Sequence, residues 1–87
     1  MSILNHVILN MPKDLQVQKT IGAKINQVPD VRFTGGSTEG FITVEMDRRS
    51  TSLVRKALGP EYQNAPIITY RTYYNQKERE RAYASGV

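Results

Sequence analysis

The chain has 87 residues, 39% of them hydrophobic and 23% charged, and this composition fits one globular domain with no room for a second core. It contains no cysteine, which excludes disulfides, a thiolate nucleophile and any cysteine-based metal site. The formal net charge of +4 permits binding to nucleic acid or to acidic proteins, but acidic residues are interleaved with the basic ones.

The first quarter of the chain predicts a strand and a helix. An apolar run over residues 3–11, closed by Pro12, indicates a buried strand. Asp14 is the expected N-cap of the helix that follows, and Gly22 predicts a close approach of that helix to the sheet. Gln18 is expected on the solvent side. The apolar residues of the helix recur at spacings of four, four and three, which is typical of one buried face: Val17, Ile21, Ile25 and Val28.

Residues 31–46 predict a β-hairpin. Val31 and Phe33 alternate with polar residues, and residues 41–46 alternate in the same way. The glycine-rich segment 35–40 lies between these two strands, so we interpret it as the hairpin loop. A phosphate-binding loop would instead open a helix with a Lys-Ser/Thr pair, which this segment lacks.

A second helix and a last strand complete the domain. Asp47 or Ser50 is the expected cap of the helix, and Gly59 followed by Pro60 ends it. The β-branched and aromatic residues 67–74 predict the last strand. We therefore expect one domain over residues 1–74 and a charged, flexible tail over 75–87. The apolar face of the helix is formed by Leu53, Val54, Ala57 and Leu58.

The predicted order of elements is βαββαβ, which is typical of a ferredoxin-like α+β sandwich. In this fold a four-stranded antiparallel sheet carries two helices on one face. The other face of the sheet is then expected to be open.

The residues that usually carry chemistry are scattered. His6 is the only histidine, so it has no partner for a metal site, and we expect it on the surface or on an edge strand. Residues 50–52 are explained as helix caps, with no base nearby in sequence. Glu45 and Asp47 are followed by two arginines, which favours ion pairing over metal binding. We therefore predict a protein that is not an enzyme and that needs no cofactor or metal.

Basic residues interleaved with aromatic ones are the candidate contacts to a protein or nucleic-acid partner, because both residue types are enriched at binding surfaces. The alternative is a solvated charged face with core tyrosines. The candidate residues are Arg32, Phe41, Arg48, Arg49, Tyr70, Arg71, Tyr73, Lys77, Arg79 and Arg81.

Two segments resemble the motifs of RNA-recognition domains. Residues 7–12 are similar to the first-strand motif, and residues 40–46 are similar to the third-strand motif. The usual aromatic is replaced by Val7 in the first motif, and Glu39 and Thr43 replace a basic residue and a stacking aromatic in the third. Phe41 alone keeps a stacking position, so the resemblance implies a degenerate RNA-binding sheet.

Two further families share the predicted order of elements. Acylphosphatases need a basic phosphate-binding loop after the first strand, and residues 10–14 do not supply one. Residues 27–31 resemble the helix-to-strand turn of small regulatory domains, which implies a ligand-sensing role. None of these similarities assigns the chain to a family.

The main functional hypothesis is a small non-catalytic protein-binding module, such as an inhibitor, an adaptor or a small subunit of a larger assembly. It would act through a strand edge, the open sheet face or the basic tail, and edge pairing would also permit a homodimer. The alternatives are a nucleic-acid-binding module and a small-ligand sensor. No apolar run is long enough to span a membrane, and we expect a cytoplasmic location.

Overall fold

The structure, a computed structural model, describes residues 2–84. Two short 3-10 turns, Arg48–Ser50 and Pro60–Tyr62, flank the second helix. The strands and helices follow in the order β1 (Ile3–Ile8), α1 (Leu15–Ile25), β2 (Arg32–Ser37), β3 (Phe41–Asp47), α2 (Thr51–Leu58), β4 (Ile67–Thr69) and α3 (Tyr70–Ala84).

The four strands form one antiparallel sheet in the order β2-β3-β1-β4. The pairing of β1 with β3 is the longest, and it joins Ile3 to Asp47 at one end and Ile8 to Ile42 at the other. The short β4 pairs only with the second half of β1. These strands and helices confirm the predicted α+β class with a four-stranded antiparallel sheet.

The structure contains a third helix, α3, which the predicted two-layer arrangement lacks. α1 and α2 pack against each other and against one face of the sheet. α3 packs on β1 and β4, and its Tyr73 contacts Phe41, which points away from α1 and α2. The second face of the sheet is therefore partly covered, which corrects the prediction of an open face.

The C-terminal third of the chain also differs from its prediction. The last strand ends at Thr69 instead of residue 74, and residues 70–84 form one continuous helix. The predicted boundary between residues 74 and 75 falls inside this helix, and the last three residues of the predicted tail lie outside the described part. Residues 76–82 consist only of strong helix formers: Gln, Lys, Glu, Arg and Ala. The helix that they favour extends back to Tyr70 and includes the tyrosines predicted to end the strand.

The main core lies between the sheet and the first two helices. It is formed by side chains from β1, α1, β3, α2 and the connecting loops, joined by Phe33 and three other half-buried residues at its edge. Its buried members are Ile8, Met11, Ile21, Ile25, Val31, Ile42, Val44, Met46, Val54, Leu58 and Ala65.

The buried face of α1 is rotated from the predicted one. Val17 is 42% exposed, whereas Gln18 is only 1% exposed and points into the molecule. The Gln18 amide donates to the carbonyl oxygens of Pro12 and Ser37 and accepts a bond from the Ser37 N–H. Because its amide donates and accepts hydrogen bonds, Gln18 can be buried at little cost, and it ties α1 to the start of the hairpin turn.

Two glycines are needed for close packing. A Cβ at Gly22 would lie 2.5 Å from the Phe33 ring, which confirms the predicted close approach of α1 to the sheet. A Cβ at Gly36 would overlap the side chain of Gln18. Gly36 lies in β2, which runs to Ser37. The hairpin turn is therefore shorter than predicted and covers residues 38–40.

The caps follow the sequence closely. The Asp14 carboxylate accepts bonds from Gln16 N and Val17 N at 2.8 and 3.1 Å, as predicted. Gly59 ends α2 with a positive φ of 92°, also as predicted. Asp47, and not Ser50, provides the side-chain cap before α2, by accepting a bond from Arg49 N at 2.9 Å.

Candidate partner-binding helix

The second face of the sheet is held to α3 by a small set of contacts. Val7 points to this face and is fully buried, although it lies outside the main core. The Phe41 and Tyr73 rings lie 5.3 Å apart, and Tyr70 lies 6.5 Å from Tyr73. The Lys77 ammonium group sits 5.5 Å from the centre of the Tyr73 ring. We call Phe41, Tyr70, Tyr73 and Lys77 the aromatic cluster.

The first turn of α3 is fixed by two threonines. The Thr69 hydroxyl accepts a bond from the Thr72 N–H at 3.3 Å and shares a second bond with the Thr72 hydroxyl at 2.8 Å. This arrangement satisfies one of the N–H groups that a helix leaves unpaired at its start. The chain can therefore pass directly from β4 into α3 with no loop between them.

The rest of α3 contributes no buried side chain to the domain. None of its 15 residues is buried. Tyr70 is 46% exposed, Tyr74 is 53% exposed and Tyr83 is 89% exposed. A helix of this length is only marginally stable alone in water. The exposed tyrosines of α3 therefore offer apolar surface that a partner could cover and so stabilise the helix.

Charges on α3 are partly paired along the helix. Lys77 lies 3.5 Å from Glu80, and Arg81 lies 3.2 Å from Glu78, each at a spacing of three residues. Within residues 2–84, Arg71 and Arg79 have no ion pair. Arg71 lies three residues from Tyr74, and Arg79 lies four residues from Tyr83, so the helix presents two neighbouring arginine–tyrosine pairs.

The structure separates the ten predicted binding residues into three groups. The aromatic cluster brings together four of them, and Arg32 lines a groove beside Tyr70 on the same face of the sheet. Three are exposed on α3: Arg71, Arg79 and Arg81. The remaining two, Arg48 and Arg49, lie in the turn before α2, in a separate part of the chain.

Several of the predicted contacts are used within the chain. The Arg32 guanidinium makes two bonds to the Glu45 carboxylate, at 2.7 and 3.2 Å, across the β2–β3 pair. The Phe41 ring, which carries the resemblance to RNA-recognition domains, packs against Tyr73. These intramolecular contacts compete with stacking on a base or pairing with a phosphate.

Arg49 and Asp47 form a local charged pair. The Arg49 backbone N–H donates to the Asp47 carboxylate, and this bond is the main cause that holds the pKa of Asp47 below its ordinary value. The Arg49 guanidinium, 3.3 Å away, and the Ser2 N–H also lower the pKa of this carboxyl, whereas burial opposes them. The role of Asp47 is therefore explained by capping and ion pairing.

The outer edge of β2 is partly occupied. The Phe33 N–H donates to the Asn26 side-chain oxygen at 2.8 Å, and the Ser37 N–H donates to Gln18 at 2.9 Å. Neither group is free to pair with a strand of another chain. These bonds leave fewer β2 groups for edge-to-edge pairing with another chain, and the other edge of the sheet is β4.

His6 is buried, which corrects its predicted position on the surface or an edge strand. It lies in β1, between β3 and β4, and is 3% exposed. Its Nδ1 atom lies 2.9 Å from the Leu4 carbonyl oxygen. His6 also lines a cleft together with Arg48 and Thr72.

Sequence reasoning missed Tyr83 and the cleft beside His6. Tyr74 follows Tyr70 at the helical spacing of four residues, but the β propensity of the tyrosines favoured a strand, and Tyr83 lies nine residues further on, on the opposite side of the helix. No sequence signal connects His6 with Arg48 and Thr72, because the three come from separate elements that meet only in the fold.

Comparisons with protein-family models, curated proteins and solved structures found no match to this chain. Among residues 2–84, no group of three or more His, Asp or Glu side chains could hold a metal ion. In the same part of the chain, no helix combines the length and the apolar character needed to cross a membrane. The residues of α3 and their contacts are therefore the basis for a functional proposal.

Proposed function

We propose that the chain is a small non-catalytic protein-binding module and that α3 is the element presented to an acidic partner protein. The observation that carries this proposal is the exposure of α3: a 15-residue helix with no buried residue holds three tyrosines that are each at least 46% exposed. Tyrosine and arginine dominate the energetics of protein interfaces. A partner would supply the apolar contacts that the domain does not give to this helix.

Charge supports an acidic partner. α3 carries four basic and two acidic side chains, and both acidic ones are already paired along the helix. Arg71 and Arg79 therefore remain available for carboxylates. Arginine suits this role because its planar group can bind a carboxylate with two parallel hydrogen bonds.

Nucleic acid is the second candidate, and the same positive, tyrosine-bearing helix favours it. The packing of Phe41 on Tyr73 weakens this alternative, since base stacking on the sheet would require α3 to move. The two candidates differ in their response to salt: phosphate contacts release counterions, so nucleic-acid binding falls steeply as salt rises.

The test is affinity capture from a lysate of the source organism, with and without nuclease, at low and high salt. We expect a partner protein that survives nuclease treatment and is lost when Tyr74→Ala and Arg79→Ala are combined. A matched control is the pair Leu53→Ala and Lys56→Ala, which removes an exposed apolar and an exposed basic side chain from α2. Capture that needs intact nucleic acid, or that the α3 variant leaves unchanged, would contradict the proposal.

We also propose that the sheet with α1 and α2 is a ferredoxin-like unit to which α3 has been added. In support, β3 lies between β1 and β2, and β1 lies between β3 and β4, so α1 and α2 each connect two strands that are separated by a third. In this view α3 is an addition to a complete domain, which is consistent with its role as the binding element.

A further inference from the structure

A cleft lies between β4 and the start of α2, away from the exposed face of α3. Its volume is about 410 Å³. Ile67 and Ile68 of β4 line it, and polar groups come from five separate elements: His6, Arg48, Thr51, Thr69 and Thr72. This combination of an apolar wall with a few convergent polar groups is typical of small-molecule sites.

His6 presents a hydrogen-bond acceptor to this cleft. Its Nδ1 atom faces the Leu4 carbonyl oxygen at 2.9 Å, and a carbonyl can only accept, so in the neutral ring Nδ1 carries the proton. The Nε2 atom is then an acceptor, with no hydrogen bond to any residue in the described part of the chain. Among residues 2–84, every side-chain nitrogen or oxygen shut off from solvent has a partner. Nε2 must therefore reach solvent, and His6 lines the cleft.

Arg48 supplies an available positive charge at the same cleft. Its guanidinium has no ion pair or hydrogen bond within residues 2–84, whereas the adjacent Arg49 is paired with Asp47 at 3.3 Å. The Thr69 and Thr72 hydroxyls share one hydrogen bond. Each hydroxyl has a single proton, so one of the two remains able to donate to a ligand.

We propose that this cleft binds the phosphate group of a small phosphate monoester or of inorganic phosphate. Arg48 would neutralise the charge, a threonine hydroxyl would donate to a phosphate oxygen, and the protonated phosphate oxygen would donate to His6 Nε2. Phosphate fits best because it combines negative charge with an O–H donor: inorganic phosphate keeps at least one proton near neutral pH, and a monoester donates in the fraction that keeps its second proton, which is lost with a pKa of about 6. A carboxylate or a sulfate offers the charge but no donor. This inference does not depend on the proposed partner of α3.

The first test is an NMR titration of the folded chain with inorganic phosphate at constant ionic strength in neutral buffer. His6 is the only histidine, so its ring signals report on the cleft alone. We expect these signals to shift in a saturable way, and sulfate to bind at least about fivefold more weakly, because it leaves Nε2 unpaired. Shifts that do not saturate, or equal binding of sulfate, would overturn the proposal.

The matched variants are Arg48→Gln and Arg49→Gln, two adjacent exposed arginines of which only the first lines the cleft. Arg48→Gln should weaken phosphate binding about tenfold or more, since it removes a charged hydrogen-bond partner. Arg49→Gln should change binding by no more than about twofold, as expected for a screened surface charge. If Arg48→Gln does not fold, Thr72→Val serves instead, with an expected loss of about threefold. Equal effects of the two arginine variants, or unchanged binding in Thr72→Val when it stands in, would show that the cleft is not the site.

Discussion

The two faces of the sheet differ in how firmly their side chains are held. On one face, α1 and α2 enclose the main core, whose buried residues run from Ile8 to Ala65. On the other face, where α3 packs, Val7 is fully buried, but the side chains of α3 itself are half-buried or exposed. The same sheet thus supports one face that determines the stability of the whole domain and one that holds a helix weakly.

The magnitudes make the contrast clearer. Each large side chain buried in the main core contributes about 1.5–3 kcal/mol. An aromatic pair such as Phe41 with Tyr73 adds about 0.5–1.5 kcal/mol, and an exposed cation–π contact such as Lys77 with Tyr73 about 0.5–1 kcal/mol. We therefore expect α3 to open without unfolding the rest of the domain. That property suits a binding element, because a partner can reorient the helix at small cost.

The largest effect is expected from Ile42→Ala, which removes a fully buried side chain from the centre of the main core. It should lower the free energy of unfolding by about 2–5 kcal/mol, since it leaves a cavity beneath both helices. Denaturant unfolding followed by circular dichroism measures this change. A loss below about 1 kcal/mol would mean that the core is looser than its burial indicates.

A smaller effect is expected from Gly36→Ala, because the new methyl group would overlap Gln18. The free energy of unfolding should fall by about 1–3 kcal/mol. Gly35→Ala is the matched control, since a Cβ there lies 3.7 Å from the Thr43 hydroxyl, an ordinary contact. Equal unfolding midpoints for the two variants would contradict the buried position of Gln18.

The smallest effect concerns pH. The pKa of Asp47 is lower in the folded chain than its ordinary value of 3.8, so its stabilising contribution is present above that value and is lost as the pH falls through the lower, folded pKa. Asp47→Asn keeps an oxygen for the cap but removes the charge. The acid side of the stability-against-pH curve should therefore be flatter in the variant, measured by thermal unfolding between neutral and acidic buffers. Parallel curves would exclude Asp47 as a contributor.

Much of the main core could be predicted from the sequence because local patterns and burial agree there. The alternation over residues 41–46, the Asp14 cap and the Gly59 stop all occur as expected. Two predicted buried positions are exposed, Leu53 at 51% and Val17 at 42%. Gln18 replaces Val17 at the buried position because its amide bonds to Pro12 and Ser37, partners that no sequence spacing reveals.

The second face was harder to predict because two propensities compete there. Ile67, Ile68 and the tyrosines at 70–74 all favour a strand. Of the predicted strand 67–74, however, only residues 67–69 pair with β1. Beyond Thr69 the chain follows the helical preference of residues 76–82. Tertiary pairing, which the sequence pattern does not contain, thus decided where the strand ends.

The most direct test of the difference between the faces is native-state hydrogen exchange of the whole chain, read by mass spectrometry or NMR. We predict that amides of β1 and β3 exchange only through global unfolding, whereas those of residues 74–84 exchange orders of magnitude faster through local opening of α3. Protection of α3 equal to that of β3 would contradict the account, because the helix would then belong to the same cooperative unit as the core.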